Sequence, residues 1–252
     1  MNKKLREFLT STIFIKDIKC LFCGKELDKD SRYCVCDECL LSLPFLDTKV
    51  CKKCGEPIKS QARYCMRCKN HVDRGFDRAR ATFLYAGKIK DVIINLKYFG
   101  NKYYAEYLSN FLFDLYQKEN FSADVVIPAP MSKKSFKTRG FNQAELLCDA
   151  FAKNGIEVNC TCVQKVLETQ NQVKLDFKDR QTNLIGAFKV VDKNAVKNKN
   201  VLIVDDIFTT GATVSEIAGV LKKAGAKNVD VLTLCHQMPD GVTNWFTFLT
   251  KW

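Results

Sequence analysis

Residues 201–213 read Val-Leu-Ile-Val-Asp-Asp-Ile-Phe-Thr-Thr-Gly-Ala-Thr, and this run constrains the fold more than any other part of the chain. The apolar residues 201–204 predict a short buried strand of the parallel-sheet type. Asp205 and Asp206 fall where that strand is expected to end. Thr209, Thr210, Gly211, Ala212 and Thr213 then make a tight turn that opens a helix reaching to about residue 223. Loop amides, threonine hydroxyls and the positive end of a helix dipole cradle a phosphate. Two adjacent carboxylates accept hydrogen bonds from the vicinal hydroxyls of a ribose, or hold them through a metal ion. A ribose 5-phosphate offers both groups at once. The plain alternative, a strand-to-helix turn with an acidic pair at its edge, sets two like charges together with no gain in stability.

These thirteen positions resemble the 5-phosphoribosyl-1-pyrophosphate (PRPP) loop. The resemblance assigns ribose hydroxyls to Asp205 and Asp206, and the 5-phosphate to residues 209–213.

Nine of the thirteen cysteines lie between residues 20 and 68. They form the pairs Cys20/Cys23, Cys36/Cys39, Cys51/Cys54 and Cys65/Cys68, each spaced Cys-x-x-Cys, with Cys34 as an extra. Gly24 and Gly55 directly follow two of the pairs, which suits the backbone turn at a metal knuckle. Four such pairs separated by 10 to 12 residues predict structural zinc, one or two ions, in closed four-thiolate sites with no open catalytic position. Disulfides between such close pairs would staple little, and no secretion signal accompanies them. The simplest assignment is sequential: Cys20, Cys23, Cys36 and Cys39 on one ion, Cys51, Cys54, Cys65 and Cys68 on the other. A crossed pairing, and Cys34 in place of Cys36, stay open. His71 is a spare candidate ligand. Cys148, Cys160, Cys162 and Cys235 read as small core residues.

The chain of 252 residues accommodates one α/β domain and a small module, and 46% hydrophobic residues support a real core. The net charge of +12 favours anionic partners such as nucleic acid, phosphorylated sugars or an acidic membrane surface. No run of 18 apolar residues occurs, so no membrane span is expected. In residues 1–18, Lys3, Lys4 and Arg6 accompany Leu5, Phe8, Leu9 and Ile13 on roughly one helical face. Thr10, Ser11 and Thr12 break the apolar run, and no small-residue cleavage site follows. A helix packed on the body and a membrane-surface helix are the two readings.

Beyond residue 75 strands and helices alternate. Strands are expected at 80–85, 123–127, 156–158, 187–191, 201–204 and 229–234, and helices at 89–98, 103–116 and about 140–153. The pattern predicts an α/β fold with a mostly parallel sheet covered by helices on both faces, whose ligands sit beyond the carboxyl ends of the strands. Two units follow: a Cys-rich zinc module over 1–75 and a sheet domain over 76–252.

Residues 133–143 form a second informative stretch. Lys133, Lys134, Lys137 and Arg139 place positive charge at a strand end, in a loop suited to pyrophosphate or a phosphodiester backbone. Phe136 and Phe141 are interleaved where they can stack on bases, unless Phe141 is tucked into the core.

With Ile127-Pro128-Ala129-Pro130 upstream, the run Arg139-Gly140-Phe141-Asn142-Gln143 resembles the ComF (ComFC) family of competence proteins. Leu96-Lys97-Tyr98 with Gly100, Thr169 with Gln172, Arg180, and Asn183 with Ala187-Phe188 follow the same pattern in order and spacing. Gln170 competes with Gln172 for one of these positions. The aromatic tail of Trp245, Phe246, Phe248 and Trp252 has no counterpart in the pattern and reads as a packed end.

The resemblance implies a type I phosphoribosyltransferase fold with an N-terminal cysteine-rich zinc finger. It also implies a role in natural transformation, on single-stranded DNA at the cytoplasmic side of the inner membrane with the DNA-translocation machinery. Lys97, Lys133, Lys134, Lys137, Arg139, Gly140, Asn142, Gln143 and Arg180 then face pyrophosphate or DNA phosphate, with magnesium accompanying PRPP. Three functions remain open: a DNA-uptake factor that keeps a PRPP pocket, an active phosphoribosyltransferase with an unidentified acceptor, and a PRPP-binding regulator without turnover. Transfer from PRPP needs placement and charge stabilisation rather than a protein nucleophile, so the lack of a catalytic triad excludes none of them.

Overall fold

The structure is a computed structural model that describes residues 18–27, 31–58, 61–70, 74–98, 100–167 and 184–238. The leader at 1–17, His71, the 169–183 stretch with Arg180, and the aromatic tail lie outside these residues.

In chain order the described helices are α1 (Asp37–Leu41), α2 (Met66–Lys69), α3 (Gly87–Tyr98), α4 (Tyr103–Lys118), α5 (Lys133–Arg139), α6 (Gln143–Leu146), α7 (Asp149–Lys153) and α8 (Ala212–Lys223). The strands are β1 (Arg78–Leu84), β2 (Val125–Pro128), β3 (Glu157–Val158), β4 (Val163–Lys165), β5 (Phe188–Val190), β6 (Asn200–Phe208) and β7 (Asn228–His236).

Five strands pair in the order β1-β7-β6-β2-β3, every neighbour parallel. This is the doubly covered parallel sheet that the continuous apolar runs predict. Successive β6 residues point to opposite faces. Leu202 and Val204 join one core with Ile93, Leu96, Leu108 and Phe151 from α3, α4 and α7. Val201 and Ile203 join the other with Ile217 and Leu221 of α8.

The cysteine-rich segment straddles the free edge of β1. Its first half, with Cys20, Cys36 and Cys39, belongs to the first core. Its second half, with Cys51, Cys54 and Cys65, belongs to the other. The connecting chain runs along the edge: Leu46 N donates to Thr82 O at 2.9 Å, Leu84 N to Pro44 O at 2.8 Å, and Ala79 N to Lys53 O at 2.7 Å. An otherwise open row of backbone groups is thereby closed.

Four sequence expectations change. The 187–191 strand is not in the main sheet: β5 pairs antiparallel with β4, an element the pattern did not show. The basic 133–143 stretch is largely helix α5, because Ser132 caps its start by accepting from Ser135 N and Gly140 ends it in the left-handed region at φ 76°. For the same reason the helix expected over 140–153 begins later and is broken into α6 and α7. Strand β6 continues to Phe208, so Asp205 and Asp206 lie within its last turns of pleat and not beyond it.

Candidate functional site

Parallel pairing of β6 with β7 carries the acidic pair to the carboxyl edge of the sheet, with Asp205 opposite Thr233. The Asp206 amide donates to Asp205 Oδ1 at 2.8 Å. Lys97, near the end of α3, places Nζ 2.6 Å from Asp206 Oδ2. Burial, and then the neighbouring Asp206 charge, push the Asp205 pKa up to about 7, against the pull of Lys97. Burial works against the Lys97 charge, yet Asp206 and Asp205 more than offset it and its pKa ends above the ordinary value. Lys97 is thus committed to the acids, apart from the α5 lysines.

The loop from Thr209 to Gly211 links β6 to α8. Gly211 has φ +80°, and a Cβ there would lie 2.5 Å from Phe208 Cζ and 2.7 Å from Arg74 Nη1. Only glycine fits. Ala212 N donates to Thr210 Oγ1 at 3.3 Å, and Ser215 N to Gly211 O at 2.9 Å. Among the described residues nothing accepts from the amides of Thr209, Thr210 and Gly211. Consecutive unpartnered amides at the start of a helix make an anion cradle. Behind the loop Phe208 stacks on His236, centroids 4.9 Å apart, and meets Phe76 edge-on. Burial holds the His236 pKa down to about 4, so the ring is neutral near pH 7.

The neighbouring strand β2 ends beside β6, where Ala129 N donates to Val204 O at 2.8 Å. Asn142 Nδ2 bonds Ala129 O at 3.0 Å. Gln143 is buried; its Oε1 accepts from Arg139 Nη1 at 3.2 Å, while its Nε2 has no partner among the described residues. Lys133, Lys134 and Lys137 are exposed on α5. Phe136 is 48% exposed whereas Phe141 is buried. Stacking on bases is therefore open to Phe136 and closed to Phe141, which lies under Lys102, 4.9 Å from its ring centroid. Tyr98, 65% exposed, carries Arg139 over its ring at 5.3 Å; it stands in the sequence pattern, which assigns it no site role. Arg74 was missed too, although its neighbour Gly75 marks a close backbone approach.

The cysteines gather sequentially. Cys20, Cys23, Cys36 and Cys39 form one group and Cys51, Cys54, Cys65 and Cys68 the other, all ligand atoms within 4.8 Å of one another. The Cys23–Cys36 and Cys54–Cys65 sulfurs are each 3.6 Å apart. Four thiolates at zinc's ~2.3 Å bond length in a tetrahedron stand about 3.8 Å apart, so both groups fit the ion. Gly24 N and Gly55 N each return to the carbonyl of the first cysteine of their knuckle at 2.9 Å. Cys34 is outside the group, with Sγ bonded to Lys19 O at 3.1 Å. Cys148, Cys162 and Cys235 are buried, and Cys160 is exposed.

A cavity of about 480 Å³ lies between the cysteine-rich segment and α4, lined by Tyr33, Leu40, Phe45 and Phe111 among others, and away from the acids.

Residues 12–69 match the Double zinc ribbon domain and residues 138–245 the Phosphoribosyl transferase domain. The chain is 35% identical to "DNA utilization protein YhgH" of Salmonella typhi over 46% of its own length and 50% of that protein. It is 36% identical to "Competence protein F" of Haemophilus influenzae over 45% and 50%. Identity to "Competence protein ComFC" of Streptococcus pneumoniae is 31% over 62% of this chain and 66% of that protein. The chain is thus a homologue of these DNA-utilization and competence proteins. It spans about half the length of most of these curated relatives. The two domain matches account for both halves of the layout, a ribbon with two four-cysteine sites and a phosphoribosyltransferase-type sheet. No helix among the described residues is long and apolar enough to cross a membrane.

Proposed function

We propose that the protein binds PRPP, or another 5-phosphorylated ribose, at the carboxyl end of β6 and acts in DNA uptake by handling single-stranded DNA. The observation that carries the reading is the trio of amides at 209–211, without an acceptor among the described residues, just past the Asp205/Asp206 pair. The amides and the Thr209, Thr210 and Thr213 hydroxyls would take the 5-phosphate, and the two carboxylates the ribose hydroxyls. Magnesium, held through the acids and the ligand's own oxygens, would neutralise charge between pyrophosphate and sugar. The Gln143 Nε2 donor, buried without a partner among the described residues, supports an anion site at the β2 end, with Arg139, Asn142 and Gly140 near it in the chain.

The DNA reading draws on the relatives' names and on α5, which carries Lys133, Lys134, Lys137 and Arg139 with exposed Phe136, and whose Arg139 lies over exposed Tyr98 of α3. Cations track a phosphodiester backbone while aromatic faces stack on bases irrespective of sequence. Work beside the translocation machinery on the cytoplasmic side of the membrane belongs to the same proposal.

The test is fluorescence anisotropy of a labelled single strand, with and without PRPP and magnesium, on the full chain. Saturable binding that weakens with salt is expected. Anisotropy that stays at the free-strand value at low salt contradicts the DNA reading.

A further inference from the structure

Arg74 is 3% exposed, and its position follows from its neighbour. Gly75 has φ +67°, and a Cβ there would lie 2.9 Å from Gly219 N and 3.0 Å from Ser215 O. The chain leaving the second cysteine group therefore runs directly against the first turns of α8. This aims Arg74 at the back of the phosphate loop. Its Nη1 donates to Thr210 O at 2.9 Å, and its guanidinium carbon lies 6.0 Å from the Phe208 ring centroid. Its Nε is buried and has no partner among the described residues. Its charge is felt at Cys68 on one side and His236 on the other. The His236 ring, kept neutral, supplies no second cation.

In a trans peptide the C=O and N–H point in opposite directions. By holding the Thr210 carbonyl on its own side, Arg74 turns the Gly211 amide to the other, toward the space in front of the loop. A buried guanidinium with spare donor capacity favours an anion nearby, because an incompletely satisfied buried charge is costly.

We propose that Arg74 is the positioning residue of the phosphate loop: it fixes the 210–211 peptide with its amide facing the ligand and sets a buried positive charge behind it, so that the loop prefers a phosphate monoester dianion. This rests on the reading of the loop as a 5-phosphate site. It also makes the end of the zinc ribbon a structural support of that site.

Calorimetric titration of the full chain, wild type, Arg74→Met and Arg74→Lys, with ribose 5-phosphate and separately with magnesium pyrophosphate tests it. Loss of a charge-assisted bond corresponds to about ten- to a hundredfold weaker binding, so Arg74→Met is expected to lose that much affinity for ribose 5-phosphate. Its pyrophosphate affinity should stay within about twofold, and Arg74→Lys, which keeps the charge, should fall between. Zinc content measured alongside should be unchanged. Equal ribose 5-phosphate affinity in wild type and Arg74→Met overturns the proposal while leaving the 5-phosphate site standing. Parallel loss of both ligands, with no recovery in Arg74→Lys, also overturns it, because that marks a merely structural role. Wild-type protein that binds no ribose 5-phosphate overturns both proposals. Should Arg74→Met fail to fold, Arg74→Lys decides: selective weakening toward ribose 5-phosphate supports the proposal and unchanged affinity overturns it.

Discussion

Lys97 and Asp206 form an ion pair at 2.6 Å that ties the end of α3 to the carboxyl edge of β6. Both side chains are largely withdrawn from solvent, at 18% and 13% exposure. Burial and the neighbouring Asp206 disfavour the charge of Asp205 there. Removing one partner leaves the other buried and uncompensated. Asp206→Asn is expected to cost about 1–3 kcal/mol, less than for a fully dry pair because some water access remains. Adding Lys97→Met should recover part of that loss. Urea unfolding of the two single variants and the double variant gives the coupling, and strictly additive changes would show that the pair is energetically idle.

Gly211→Ala should destabilise the loop by about 1–3 kcal/mol, since left-handed backbone and a crowded Cβ act together. The crowding is specific, against Phe208 Cζ at 2.5 Å and Arg74 Nη1 at 2.7 Å. PRPP affinity should fall with it. Gly140→Ala is the control: φ is also positive there, but a Cβ meets nothing within 4 Å. Equal denaturation midpoints for the two variants would contradict this account of the loop.

Two four-cysteine groups predict two zinc ions per chain by elemental analysis. Cys51→Ser should lower the content by about one ion. Because Cys51, Cys54 and Cys65 share a core with Phe76, Phe208 and Ala212, the same variant should lower the melting temperature of the whole chain rather than of the ribbon alone. A wild-type content of one ion, or a Cys51→Ser variant with unchanged melting, would count against the arrangement.

The Asp205 pKa of about 7, against 3.8 for the free group, gives a pH window. A raised folded pKa contributes stability that is fully present below pH 3.8 and lost as pH rises through about 7 in the unliganded protein. At the proposed site magnesium-PRPP would need the carboxylate, so binding is expected to have the opposite sense and tighten as pH rises. Affinity should increase about tenfold from pH 6 to pH 8, with proton release measurable by calorimetry in two buffers of different ionisation enthalpy. His236, held down to about 4, contributes stability present above its ordinary 6.5 and lost as pH falls through about 4. Ligand affinity, not melting, therefore isolates Asp205.

For DNA, each lysine removed from α5 should flatten the slope of log affinity against log salt by about 0.7. Phe136→Ala should weaken binding by about 1–3 kcal/mol with no change in slope, since stacking releases no counterions. Phe141→Leu should leave affinity unaltered because that ring is buried. A Phe136→Ala variant that changes the slope instead would move the aromatic out of the contact.

Strand β6, the acid pair, the loop and both cysteine groups were legible in the sequence because each is a local pattern: apolar run, adjacent acids, Gly-Ala-Thr helix start, fixed Cys-x-x-Cys spacing. The elements that changed depend on context. Residues 133–139 look like a basic loop because lysines on an exposed helix carry no apolar stripe, and only the Ser132 cap and Gly140 stop betray the helix. The β5 strand is legible at 187–191, but its partner β4 is three residues long, too short a period to read, so the antiparallel pairing was not legible. Arg74 and Lys97 act through long-range geometry. Lys97 meets Asp206 across more than a hundred positions, and Arg74 meets Thr210 across 136. No spacing rule reaches that far.

The most direct measurement is calorimetric titration of wild type and of the Asp205→Asn/Asp206→Asn variant with PRPP and magnesium near pH 8, zinc content being checked in both. The account predicts saturable binding to wild type, loss of at least about tenfold in affinity in the variant, and the same zinc content. Undiminished PRPP binding by the variant, or none by wild type, would contradict it.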